Sequence, residues 1–252
     1  MTNQIISTLT VKRLILDIKE IINGSLSKDR IYYKHDETNM LVGYALIIGS
    51  EDTPYEYGNF FFKFNFPHDY PHSPPVVTYC TNDGYTRFNP NLYKNGKVCI
   101  SLLNTWKGEQ WTGCQTIKSI LLVLSSLLHD KPLINEPGIT EQHRDMESYN
   151  KIIKYKTVDV AINKMLNKEN LPAEFEIFND EIKENFINNY DKIKLSIENK
   201  ENQILSTGVY GLSIKTQYNK LRLSLNKYYD EIRGHPLNPE VLKGTPLKPR
   251  SA

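Results

Sequence analysis

The sequence predicts an α+β fold in which a four-stranded antiparallel sheet is flanked by helices and followed by a C-terminal α-helical extension. Three observations predict it. An amphipathic segment opens the chain, and short runs rich in Tyr, Val, Ile and Phe, separated by Gly, Pro and acidic clusters, fill residues 31–80. From about residue 145 onward, apolar residues recur every three or four positions. A chain of 252 residues is long enough for one medium domain with a real core plus such an appendage.

Residues 8–22, TLTVKRLILDIKEII, place Leu14, Ile18 and Ile21 at helical spacing, with Lys12, Arg13, Asp17 and Lys19 on other faces. The runs IYYKH, MLVGYALIIG, NFFFKFNF and PVVTYC then read as a meander of four strands. A proline-rich turn, FPHDYPHSPP, sits between the last two, because Pro67, Pro71, Pro74 and Pro75 cannot donate to a sheet ladder; Tyr70-Pro71 is a candidate cis bond. Residues 81–114 show no sustained periodicity, and so long an irregular stretch is more often functional than idle.

Ile117, Ile120, Leu121, Leu124, Leu127 and Leu128 mark a core helix with Thr116 placed to cap it. Farther on, Phe175, Phe178, Ile182, Phe186, Tyr190, Ile193 and Ile197 form one apolar face, and Tyr218, Leu221, Leu225 and Tyr229 form another. Such faces must dock on the front domain, pair with each other, or await a partner. The boundaries that follow are a core over 8–166, a helical extension over 167–233, and an extended or disordered tail over 234–252, where Pro and Gly punctuate GHPLNPEVLKGTPLKPRSA.

Composition narrows the function. With 31 basic against 29 acidic residues the net charge is +2, giving no broad electrostatic case for nucleic acid or an anionic membrane. Three cysteines without close pairing suit free thiols in a reducing compartment and suggest no metal site. ILLVLSSLL is too short to span a bilayer and the N-terminus lacks a signal-peptide core, so a soluble protein of the cytoplasm or nucleus is expected.

The chemistry centres on NPNLYKNGKVCISLL, residues 89–103. Free cysteine is usually a small core hydrophobe. Here, however, Asn95-Gly96 suggests a turn that brings Cys99 back beside Asn91. An uncharged amide with two donors suits an oxyanion formed when a thioester carbonyl at Cys99 is attacked; its alternative role is to cap the turn. Cys114, just before the core helix, is the rival nucleophile. A cysteine hydrolase would need a histidine base, and none of His35, His68, His72, His129, His143 and His235 lies in a local signature for one.

The ordered set Phe66-Pro67, Tyr70-Pro71, Pro74-Pro75, Asn89-Pro90-Asn91, Cys99, Gln110-Trp111 and Pro132-Leu133 resembles the ubiquitin-conjugating enzymes. RFNPN, NGKVCISLLNTW and NEPG further resemble the branch holding the Z-type conjugating enzyme and the conjugating domain of the inhibitor-of-apoptosis hybrid BRUCE. The resemblance covers residues 8–166 and implies the conjugating-enzyme fold for that core. It implies that Cys99 accepts ubiquitin or a ubiquitin-like protein as a thioester from an activating enzyme and passes it to a substrate lysine, usually with a ligase. No cofactor is then bound, ATP being used by the activating enzyme.

By the same resemblance, Asn91 stabilises the oxyanion or its loop, and Asn89 stands where the family usually carries histidine. Lys12 and Arg13 fall at the activating-enzyme contact, and His72, Trp111 and Thr112 at the ligase contact. Lys131 stands where the family often has an acidic residue that orients the acceptor lysine, a task Asp130, Glu136 or His129 could assume. About four extra residues, in LNTWKGE, separate Cys99 from the Gln-Trp pair. A non-catalytic ubiquitin-binding or ligase-scaffold module of the same fold is the alternative reading.

Overall fold

The computed structural model describes residues 6–234. The first helix, α1 (Thr8–Asn23), starts where the Ser7 side chain accepts from the Thr10 backbone N–H, and it buries Leu14, Asp17 and Ile21. A four-stranded antiparallel sheet follows in sequence order, β1 (Ile31–His35), β2 (Val42–Ile48), β3 (Asn59–Asn65) and β4 (Val76–Tyr79). The expected meander is therefore present, with register pairs such as Ala45 opposite Phe62. Tyr70-Pro71 is cis.

One face of the sheet, carrying Ala45, Ile47, Phe60, Phe62, Phe64, Val77 and Tyr79, packs into the main core with Leu14 of α1 and Ile117, Ile120, Leu121 and Leu124 of α2 (Ile117–Ser126). Helix α2 begins with a capping box between Thr116 and Ser119, which fixes the end of the long irregular stretch. The opposite face, Tyr44, Leu46, Ile48 and Phe61, is also buried, under Met165, Leu171, Phe175, Phe178 and Ile182. Burial on both faces explains why YALII and NFFF read as near-continuous apolar runs rather than alternating ones.

Helix α3 (Met146–Lys156) runs directly into a π-helix over Thr157–Lys164. Its wider turn is met from the sheet, because the Asn59 amide donates to the Ala161 carbonyl at 3.0 Å. After a 3-10 segment, Ala173–Phe178, helix α4 (Asn179–Glu198) returns across the core and pairs with α5 (Tyr218–Gly234), Tyr190 stacking on Tyr229 at 3.7 Å between ring centroids. Of the three fates open to those apolar faces, the extension takes the first two. Between these helices lies a small hairpin absent from the sequence reading, β5 (Ile204–Ser206) with β6 (Ser213–Lys215). The expected tail lies outside the described residues, apart from Gly234. No helix among the described residues is long and apolar enough to cross a membrane.

Candidate active site

The Asn95-Gly96 turn forms as expected. Tyr93 N–H donates to Lys97 O and Gly96 N–H to Tyr93 O, both at 2.9 Å, and Leu92 bridges Val98. Gly96 has φ +89°, and an added Cβ would lie 2.9 Å from Thr78 Cγ2, so both conformation and space require glycine. The turn returns Cys99 opposite Asn91. Cys99 N–H donates to Asn91 O at 2.8 Å, and Asn91 Nδ2 donates to Cys99 O at 2.7 Å. One of the two amide protons is thus spent on the nucleophile's own carbonyl, and the second has no partner among the described residues.

Asn89, in the place where the resemblance puts a histidine, is fully buried and structural. Its Nδ2 donates to Leu127 O at 2.8 Å and lies 3.1 Å from Tyr55 Oη, while its Oδ1 accepts from Asn91 N–H at 2.9 Å. The turn bearing Asn91 is therefore tied to the C-terminal end of α2.

Downstream of Cys99 the chain makes a 3-10 turn, Ser101–Leu103, and then an exposed loop over residues 104–110. Thr105 closes that loop onto the nucleophile. Its Oγ1 accepts from Ile100 N–H at 3.0 Å and lies 2.9 Å from Val98 O, while its carbonyl accepts from the Cys99 thiol at 3.2 Å. Cys99 is only 3% exposed beneath it. Sequence reasoning missed Thr105, because a threonine in an irregular loop carries no distinguishing pattern.

The other cysteines differ. Cys80, half-buried after β4, has its thiol pushed up to about 11 by burial. Cys114 is exposed. Hydrogen-bonded histidines are engaged elsewhere, His35 with Tyr33 and Met40, His129 with Asn135 and Lys131, and His143 with Asp145. No described side-chain hydrogen bond joins a histidine to Cys99 or Cys114, so a hydrolase dyad does not form among the described residues.

Lys131 is half-buried and bonded to Glu141 Oε2 at 2.7 Å, which raises its pKa and keeps it a cation. Of the three residues considered as its substitutes, Glu136 accepts from Tyr210 Oη, and His129 Nε2 lies 3.2 Å from Asn135 Oδ1. The Asp130 carboxylate stays exposed, 3.7 Å from His129 Nδ1, while its backbone carbonyl accepts from Asn150 Nδ2.

Among the residues expected at partner contacts, Lys12, His72 and Thr112 are exposed. Arg13 is engaged internally. Its Nε bonds Asp17 Oδ1 at 2.8 Å and its guanidinium also donates to the carbonyls of Gly113 and Gln115; Asp17, itself 2% exposed, accepts from Tyr70 Oη as well. Trp111 is buried, with its ring 5.8 Å from Tyr70 and Nε1 donating to Pro71 O at 2.8 Å. Both side chains lock α1, the cis-proline turn and the α2 entrance together.

Residues 13–158 match the family model described as ubiquitin-conjugating enzyme, more than half of the chain. The chain belongs to the ubiquitin-conjugating enzyme family. It is 42% identical over 162 residues to human ubiquitin-conjugating enzyme E2 Z, a match covering 63% of this chain and 44% of that protein. The Xenopus tropicalis E2 Z is 45% identical over 135 residues, covering 52% of this chain and 42% of the relative. Human BIRC6, named a dual E2 ubiquitin-conjugating enzyme/E3 ubiquitin-protein ligase, is 43% identical over 118 residues, which are 44% of this chain and 2% of BIRC6. The chain thus spans less than half the length of these curated relatives.

Proposed function

We propose that this protein is a carrier of ubiquitin or a ubiquitin-like protein, loaded on Cys99 by an activating enzyme and discharged onto substrate lysines, usually with a ligase. The observation that carries the reading is the reciprocal pairing of Asn91 and Cys99 across a glycine turn, within a chain of this family. In loading, the Cys99 thiolate attacks the activating enzyme's thioester carbonyl, the new C–S bond replaces the old one, and the activating enzyme's thiolate leaves. In discharge, a neutral lysine amine attacks the Cys99 thioester, the carbonyl oxygen becomes an oxyanion, the C–S bond breaks, and the nitrogen loses a proton as the amide forms. ATP is consumed upstream by the activating enzyme.

Asn91's second N–H is the donor this reading gives to the oxyanion, its first holding the carbonyl frame of Cys99 in place. Because Cys99 lies under Thr105, loading requires the loop over residues 104–110 to move off the sulfur. That burial, with Lys131 in a usually acidic place, favours the scaffold as second reading. Incubation with ubiquitin, ATP and an activating enzyme separates the two. A reducible adduct that requires Cys99 supports the carrier; no adduct with any activating enzyme and modifier tried favours the scaffold.

A further inference from the structure

We infer that Tyr210, at the tip of the C-terminal hairpin, is a positioning residue for the Asn91–Cys99 hairpin and acts through Arg87. This rests on the carrier reading above. The tip is built to reach the core. Tyr210 is a non-glycine residue at φ 61°, ψ 2°, a left-handed conformation that costs free energy and persists only where surroundings enforce it. Three contacts enforce it. Val209 N–H donates to Asp145 Oδ2 at 2.8 Å, Ser213 N–H donates to Tyr85 Oη at 3.0 Å, and Tyr210 Oη donates to Glu136.

So held, the Tyr210 ring lies 4.6 Å from the Arg87 guanidinium, whose other neighbour is the Tyr93 ring at 3.7 Å. Arg87 is sandwiched. Its Nη2 donates to Pro90 O at 2.5 Å, and its own carbonyl accepts from Tyr149 Oη at 2.7 Å. Pro90 immediately precedes Asn91, and Tyr93 opens the turn whose strands pair Asn91 with Cys99. The stack therefore presses on the catalytic hairpin at two points, one on each side of Asn91. The Tyr210 contact also occupies Glu136, one of the residues considered as a substitute for Lys131.

The test compares Tyr210→Ala with Tyr210→Phe in the full chain, loaded with ubiquitin and discharged to free lysine in single turnover. Tyr210→Phe keeps the ring on Arg87 and should discharge within about twofold of wild type, whereas Tyr210→Ala should lower the maximal discharge rate on the order of tenfold, with lysine KM unchanged. In an Asn91→Ala background, Tyr210→Ala should have no further effect on discharge, because the two act as one unit. A second readout is independent of activity: the Asn91 side-chain amide NMR signals should shift in Tyr210→Ala and stay in place in Tyr210→Phe. An unmoved Asn91 amide, additive losses in the double variant, or equal losses in both Tyr210 variants would overturn the inference. If the wild-type protein takes up neither ubiquitin nor any ubiquitin-like protein from the activating enzymes tried, the carrier reading fails, and the Asn91 amide alone decides the positioning role.

Discussion

Two stretches of chain meet at Cys99 and are held in opposite ways. The stretch before it, residues 89–98, is bonded within itself, to β4 through Tyr79, and to the end of α2 through Asn89. The stretch after it is exposed from Asn104 to Gln110, fastened mainly where Thr105 reaches back and where Asn104 Oδ1 accepts from Trp111 N–H at 2.9 Å. The carbonyl frame of the nucleophile is fixed while the cover on its sulfur is released by breaking few bonds. A carrier needs both, since the thiol must be reached by a large partner and the oxyanion site must not shift when it is.

Five substitutions probe that contrast. Cys99→Ser should abolish the reducible adduct and, where it loads, leave an ester that survives reducing agent, while Cys114→Ser loads as wild type on a non-reducing gel. An adduct that followed Cys114 would break the assignment at its root. Asn91→Ala removes a donor from the rigid side and should slow discharge to lysine by about 10²-fold, with loading less affected. Equal loss in both steps, with a lowered melting temperature, would reduce Asn91 to its bond with the Cys99 carbonyl.

On the movable side, Thr105→Val deletes the hydroxyl serving Ile100 N–H and should cost about 1 kcal/mol in denaturant unfolding. Loading should become faster, because the cover opens more readily; slower loading would make Thr105 part of the fixed frame. Smallest of all, Trp106→Ala should change stability by no more than about 0.5 kcal/mol, since the ring is 44% exposed. A larger loss would show the loop to be anchored through this ring.

Legibility in the sequence followed the range of the interaction. The α2 face, the Asn-Gly turn and the Asn91–Cys99 partnership are set by neighbours a few residues apart, and each could be read from spacing. Arg13 and Trp111 could not. Their residue types suit a partner surface equally well, and only contacts distant in sequence, 100 residues away for Arg13 and 40 for Trp111, turn them inward. The β5–β6 hairpin escaped notice because strands of three residues are too short to show alternation. The covering of the second sheet face did leave a trace, in the unbroken apolar runs of β2 and β3, which a half-exposed sheet would not carry.

That second covered face is completed from outside the stretch that matches the family model. The stretch matched to the family ends at residue 158, but Met165, Leu171, Phe175, Phe178 and Ile182, which shield Tyr44, Leu46, Ile48 and Phe61, all lie beyond it. A chain cut at the family boundary would present a contiguous aromatic and aliphatic patch to water, the kind of surface that drives self-association.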